Sequence, residues 1–265
     1  EPALEPWKKS LEKRGKATKE VHIKLVGKYV ELPDAYKSIM ESLSQAAIYH
    51  DRKLVLDMCH SEKINDKNVA EILKGADGVV IAPGFGQRGI EGKFSALKYT
   101  RENDIPTFGI CLGMQCMVIE FARNVLGYSD ANSTEMDPRT KHNIIDLMED
   151  QKHITNMGAT MRLGAFDCEL QKGTLAFDAY GKSLVSERHR HRYEFNNKYK
   201  SEVETAGMLC SGINPDSDLV EIVEIPSKKW YLGTQFHPEY SSTVISPNPL
   251  FMSFMKAAVE IDKQS

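Results

Sequence analysis

Residues 107–115 read Thr107-Phe108-Gly109-Ile110-Cys111-Leu112-Gly113-Met114-Gln115, with Ile105-Pro106 ahead of them and an amphipathic run, 114–125, behind. An apolar strand, a Gly-x-Cys-x-Gly turn and a helix in that order form a nucleophile elbow with cysteine at its tip. The tip residue of such a turn sits in a strained backbone conformation, and glycine neighbours let the turn pass close to its surroundings. The tip also opens a helix, where free N–H groups and the helix dipole favour a thiolate. The pattern places Cys111 as a nucleophile; the competing reading is a buried, inert cysteine.

Outward from the elbow, strands and helices alternate. Strands are expected at 21–26, 54–58 and 78–82, and helices at 33–49, 68–73 and 92–103. The run Gly78-Val79-Val80-Ile81-Ala82 is continuously apolar, as in a strand buried on both faces. This half therefore reads as α/β, a doubly wound, mostly parallel sheet with flanking helices. Ligands bind such sheets outside the strands' carboxyl ends, which puts the glycine-rich loop 84–89 and Cys111 on one rim. Residues 124–157 read as polar and loop-rich. Residues 188–195 are expected to form an edge strand. Strands at 208–213, 219–225 and 230–236 would extend the same sheet, antiparallel strands being added in this C-terminal half, and 247–261 holds a closing helix.

The 265 residues are 41% apolar and 27% charged with a formal net charge of -3, so no basic footprint of a nucleic-acid binder appears. No apolar run approaches membrane-spanning length and the first residues lack a signal-peptide pattern, so a cytoplasmic protein is expected. Five cysteines, without a C-x-x-C pair, suit reduced thiols better than a disulfide frame. Residues 1–18 are charged and poorly periodic and read as a linker or short helix; the domain proper is expected over 19–265. Asn132-Ser133-Thr134 matches a glycosylation sequon and carries no weight without a secretory route.

A cysteine nucleophile needs a base, and the base an orienter. Of eight histidines, His237 follows an apolar strand and precedes Pro238-Glu239. In an extended segment Glu239 would lie on the same side as His237 and fix its tautomer. The N–H of Leu112, after the nucleophile, is one oxyanion donor by elbow geometry. Gly84 is a second, since a backbone without a side chain approaches a ligand closely; one such donor is typically worth ~2.7–4 kcal/mol in the transition state. His189 and His191 lack the neighbouring carboxylate or cysteine that would complete a metal site, so none is expected.

Gly-Ile-Cys-Leu-Gly-Met-Gln (109–115), with Phe-His-Pro-Glu (236–239), resembles the class I, triad-type glutamine amidotransferases. Five further segments are similar to the C-terminal glutaminase domain of the CTP synthase family. They are Val-Gly-Lys-Tyr with Leu-Pro-Asp-Ala-Tyr-Lys-Ser (26–38), Phe-Gly-Gln-Arg-Gly-Ile-Glu-Gly (85–92), Ala-Asn-Ser-Thr-Glu (131–135), Met-Gly-Ala-Thr-Met-Arg-Leu-Gly (157–164) and Glu-Arg-His-Arg-His-Arg-Tyr-Glu (187–194). The likeness covers about residues 20–260; the family's N-terminal synthetase half has no counterpart, and residues 1–18 would be the interdomain linker.

The resemblance implies a triad of Cys111, His237 and Glu239, with oxyanion donors at Gly84 and Leu112. It implies glutamine held by Leu112, Gly113, Met114 and Gln115, with Glu135 toward the α-ammonium and Arg192 toward the α-carboxylate, a pairing that suits the charges. It implies ammonia delivered to a synthetase domain that aminates UTP with ATP and Mg, no cofactor in this domain, and GTP as an activator near Arg88 and Gly89. A tetramer is implied only for a full-length chain. The family commonly has Pro-Gly-Gly-Phe-Gly before the lid, whereas here Ala82-Pro83-Gly84-Phe85-Gly86 puts proline at the first glycine position. Two other readings are a free-standing glutamyl hydrolase, which the segments 157–164 and 187–194 argue against, and a regulatory module with a dead site, which the intact triad argues against.

Overall fold

The computed structural model describes residues 4–147 and 161–261. In chain order the first half runs α1 (Glu5–Lys16), β1 (Lys19–Gly27), α2 (Lys37–Tyr49), β2 (Arg52–His60), α3 (Val69–Ile72), β3 (Gly78–Ile81), α4 (Ile90–Glu102), β4 (Thr107–Ile110) and α5 (Leu112–Asn124). The second half adds β5 (Asn132–Ser133), β6 (Asn143–Leu147), β7 (Arg162–Leu170), α6 (Leu175–Tyr180), β8 (Leu184–His191), β9 (Tyr193–Phe195), α7 (Lys200–Thr205), β10 (Leu209–Ile213), β11 (Val220–Glu224), β12 (Tyr231–Thr234) and α8 (Pro249–Ile261).

The main sheet has the order β2-β1-β3-β4-β12-β11-β10-β7-β8. From β2 to β12 neighbours are parallel; from β12 to β8 they are antiparallel. The parallel strands are apolar without alternation because helices cover both faces. Val79 and Ile81 point into one buried cluster with residues of α4 and α5; Val80, Ala82, Phe108 and Ile110 point into the other, with residues of α2 and α8. Gly109 and Gly233, on adjacent strands, let α5 lie close to the sheet: a Cβ on either would meet the Met117 sulfur at 2.7 or 2.8 Å.

Three expectations are corrected. The helix expected from Pro33 begins as a 3-10 turn, Pro33–Tyr36, and becomes α-helical at Lys37. The single edge strand expected over 188–195 breaks at Arg192 into β8 of the main sheet and β9 of a second sheet, order β5-β6-β9. That second sheet stands where the stretch 124–157 reads as loop. Residues 148–160, including 157–160 of the segment 157–164, lie outside the described residues. α1 has no buried residue and rests against α2, with the Lys13 ammonium 5.1 Å from the Tyr49 ring centre.

Candidate functional site

Four adjacent parallel strands, β1, β3, β4 and β12, deliver their carboxyl ends to one rim. Lys28 follows β1, the 82–89 loop follows β3, Cys111 follows β4, and Gln235 to Glu239 follow β12. Sheet order thus gathers groups that are remote in sequence. The topology supplies the reason: the chain passes from β1 outward to β2 and then returns to the other side of β1, a switch point of the kind at which open sheets bind ligands.

Cys111 stands at the elbow with φ 53, a left-handed value rare for a residue with a side chain. Its N–H donates to the Thr234 carbonyl at 2.7 Å, which ties the elbow to the end of β12. The residue is only 3% exposed, and its sulfur lies 3.9 Å from the Arg190 carbonyl and 3.8 Å from the Gln235 amide nitrogen. His237 Nδ1 lies 2.8 Å from Glu239 Oε1, and the His237 N–H donates to the Arg188 carbonyl at 2.8 Å. Glu239 reaches the ring from a 3-10 turn, Pro238–Tyr240, and not from the extended segment the sequence suggests. Burial disfavours the charged ring of His237. Charge and hydrogen bonding from Cys111, then from Glu239, outweigh it and lift the pKa to about 11. These contacts favour the charged, imidazolium form of His237.

Cys111 borders two clefts. One is walled by Gly84, Leu112, Gln115, Glu135 and Arg192 with His191. The other runs past Tyr36, Pro83, His237 and Tyr240. Gly84, Leu112, Gln115, Glu135 and Arg192 therefore meet at one cleft beside the cysteine. Within it, Glu135 Oε1 accepts from the Gly86 N–H at 2.9 Å, so the carboxylate already holds the loop opposite. The Gln115 amide donates to the Tyr193 carbonyl at 2.8 Å and to Gln235 Oε1 at 3.2 Å. Gly113 and Met114 do not border this cleft. A Cβ on Gly113 would meet the Ile81 carbonyl oxygen at 2.2 Å, and Met114 is fully buried against the strands. Arg88 lies in the loop between β3 and α4, with its guanidinium 5.3 Å from the Tyr29 ring centre and donating to the Lys28 carbonyl at 3.3 Å. Gly89 caps α4 at φ 72.

The sequence reading left several site residues unnamed. Gln235 bridges Gln115 to the cysteine, and Tyr193 supplies a carbonyl; Gln235 directly precedes the quoted 236–239 and Tyr193 lies within 187–194, yet nothing in either residue type marks it. His189 and His191 turn inward from β8. Their facing nitrogens are 2.8 Å apart, and His189 Nε2 is 3.3 Å from Glu221. Among the described residues no group of three or more His, Cys, Asp or Glu side chains is placed to hold a metal ion. No described helix is long and apolar enough to cross a membrane.

A family model, glutamine amidotransferase class-I, matches residues 31–257. The CTP synthase of Bacteroides thetaiotaomicron is 67% identical over 264 residues, which is 99% of this chain and 49% of that protein. That of Porphyromonas gingivalis is 60% identical over 263 residues, again 49% of its length. The chain thus spans about half the length of the curated relatives it matches. Among solved structures, the Trypanosoma brucei CTPS glutaminase domain with bound acivicin superposes with a TM-score of 0.85 at 39% identity, covering 91% of this chain and 94% of that one. A glutamine amidotransferase from Thermotoga maritima shares the fold at TM-score 0.52 and 11% identity.

Proposed function

The chain belongs to the class I glutamine amidotransferases, in the branch formed by CTP synthase glutaminase domains, and we propose that it hydrolyses L-glutamine through Cys111, His237 and Glu239. The observation that carries this is the elbow cysteine at φ 53 beside a buried His237–Glu239 pair, on a cleft lined by Glu135 and Arg192. Free glutamine presents the matching charges: its α-ammonium suits Glu135 and its α-carboxylate suits Arg192. The Glu135 carboxylate, which accepts from the Gly86 N–H through Oε1, would accept from the ammonium as well.

The Cys111 thiolate attacks the side-chain amide carbon, and the carbonyl π pair moves to oxygen. The Gly84 and Leu112 N–H groups receive that oxyanion. His237 gives its proton to the departing nitrogen, the C–N bond breaks, and ammonia leaves a γ-glutamyl thioester. His237, now neutral, takes a proton from water; the resulting hydroxide adds to the thioester, and glutamate leaves as the thiolate reforms. Glu239 holds the ring's orientation and favours its charged form. Gly113 and Met114 contribute through backbone and packing.

In a longer protein of the CTP synthase kind the ammonia would pass to a synthetase domain for ATP- and Mg-dependent amination of UTP. Residues 1–18 would then link the halves. GTP would act near Arg88 and Gly89, and assembly into a tetramer would belong to the whole protein. Glutamate release from glutamine by this chain, beside Cys111→Ser, tests the reading. Release that vanishes in the variant is expected. Release that persists would overturn the triad, and a folded wild type without release would overturn a site complete within this chain.

A further inference from the structure

Two lysine ammonium groups lie beneath the loop that follows β3, and the hydrolytic steps above make no use of them. Lys93, on α4, is fully buried, and its Nζ donates to the Ala82 carbonyl at 2.6 Å. Lys28, at the end of β1, is 2% exposed; its Nζ donates to the Phe85 carbonyl and lies 3.5 Å from that of Gly86. Lys28 also fills the space under Gly84, where an added Cβ would meet its Cε at 3.2 Å and Leu112 Cδ2 at 3.5 Å.

We propose that Lys28 and Lys93 are positioning residues for the oxyanion loop, pinning its peptide planes from below so that the Gly84 N–H faces the carbonyl oxygen on which negative charge develops. The inference rests on the glutaminase reading. In a trans peptide the carbonyl of one residue and the N–H of the next point in opposite directions. Lys28 draws the Phe85 carbonyl down, and the Gly86 N–H accordingly turns up to Glu135 Oε1 at 2.9 Å. Lys93 fixes the plane ahead of Pro83, and proline fixes its own φ. The Ala82–Pro83 and Phe85–Gly86 peptide planes are thereby held, and the two peptides of Gly84 lie between these fixed points. Proline at the first glycine position is then part of the device: it removes rotational freedom where the pinned carbonyl already defines the direction.

The cost of this arrangement argues for a role. Burial pushes the Lys93 ammonium down to about 8, and burial together with the Arg88 guanidinium lowers that of Lys28. An apolar side chain at position 93 would fill the same space without desolvating a charge.

Lys28→Met, Lys93→Met and Lys28→Arg test the proposal with two reagents on Cys111. Acivicin carries an amino-acid end and needs the formed site; iodoacetamide needs only the thiol. In each methionine variant the acivicin labelling rate should fall by at least about tenfold, the scale of a misplaced reacting geometry. The iodoacetamide rate should stay within about twofold, with thermal unfolding cooperative as in the wild type. Lys28→Arg, which keeps a cation and donors, should recover most of the loss. Acivicin rates unchanged in folded variants would overturn the proposal, as would a parallel fall with both reagents, which would place the effect on the thiol. Should Lys93→Met fail to fold, the Lys28 variants decide. A wild type that acivicin does not label would fail the glutaminase reading itself and the inference with it.

Discussion

Cys111 and Gly113 are two residues apart and stand in different relations to the site. Cys111 holds φ 53, a conformation that costs free energy in any L-residue and persists because the Thr234 carbonyl and α5 fix it from both sides. Gly113 is absent from the cleft, yet the elbow depends on it, since its Cα lies against the Ile81 carbonyl. Alanine in place of glycine inside a helix ordinarily gains ~1 kcal/mol. Here Gly113→Ala should instead cost about 1–3 kcal/mol in denaturant unfolding, because the neighbour it meets is backbone and cannot rotate away. The elbow is legible in sequence because its determinants are contiguous. Glu135 and Arg192 are legible only through family likeness, since a lone acid or a lone arginine carries no positional signal. Lys28 and Lys93 escape because long cationic side chains ordinarily signify surface.

At the level of elements, β8 shows the sharpest periodicity. Val185, Glu187, His189 and His191 are buried while Arg188 and Arg190 are exposed, so its histidines and arginines take opposite faces. Its partner β7 reverses the usual sense at its start. Arg162 is buried and Leu163 is exposed, and a hydrophobic alternation search misses the strand. Arg162 turns inward to meet Glu221 at 2.6 Å and Glu194 at 3.8 Å. Burial pushes Glu194 up to about 8 and Glu221 up to about 7, with Arg162 pulling the other way on both. A carboxyl that stays protonated in the fold but ionises when unfolded leaves stability intact below its unfolded pKa. It removes stability as pH climbs toward the folded value. Glu194→Gln, which mimics the protonated carboxyl, should therefore gain on the wild type by at least ~1 kcal/mol between about pH 5 and about pH 8 in unfolding titrations. A constant difference across that window would mean that Glu194 is ionised in the fold throughout. The small sheet β5-β6-β9 was not legible: β5 and β9 are two and three residues long, too short for a pattern to register, and β6 lies within a polar stretch.

Across the whole molecule, one arrangement explains why residues scattered along the chain act together. β1, β3, β4 and β12 are neighbours in the sheet and parallel, so Lys28, Gly84, Cys111 and His237 emerge on one rim. The parallel half was readable because strand and helix alternate and the strands are continuously apolar. The place of β12 beside β4 was not, since nothing local records which strand a distant segment joins. The antiparallel strands beyond β12 carry β8 back to the site, where the Arg188 carbonyl holds the His237 backbone and the Arg190 carbonyl faces the cysteine. The fold's two halves thus meet at Cys111, where the proposed hydrolysis passes through a covalent thioester. Acid quench of the chain during turnover of L-glutamine, followed by mass mapping of its cysteine peptides, tests that chemistry directly. A γ-glutamyl adduct confined to Cys111, and missing from Cys111→Ser, is the predicted result. Glutamate release with no adduct on Cys111, or with the adduct on another residue, would contradict it.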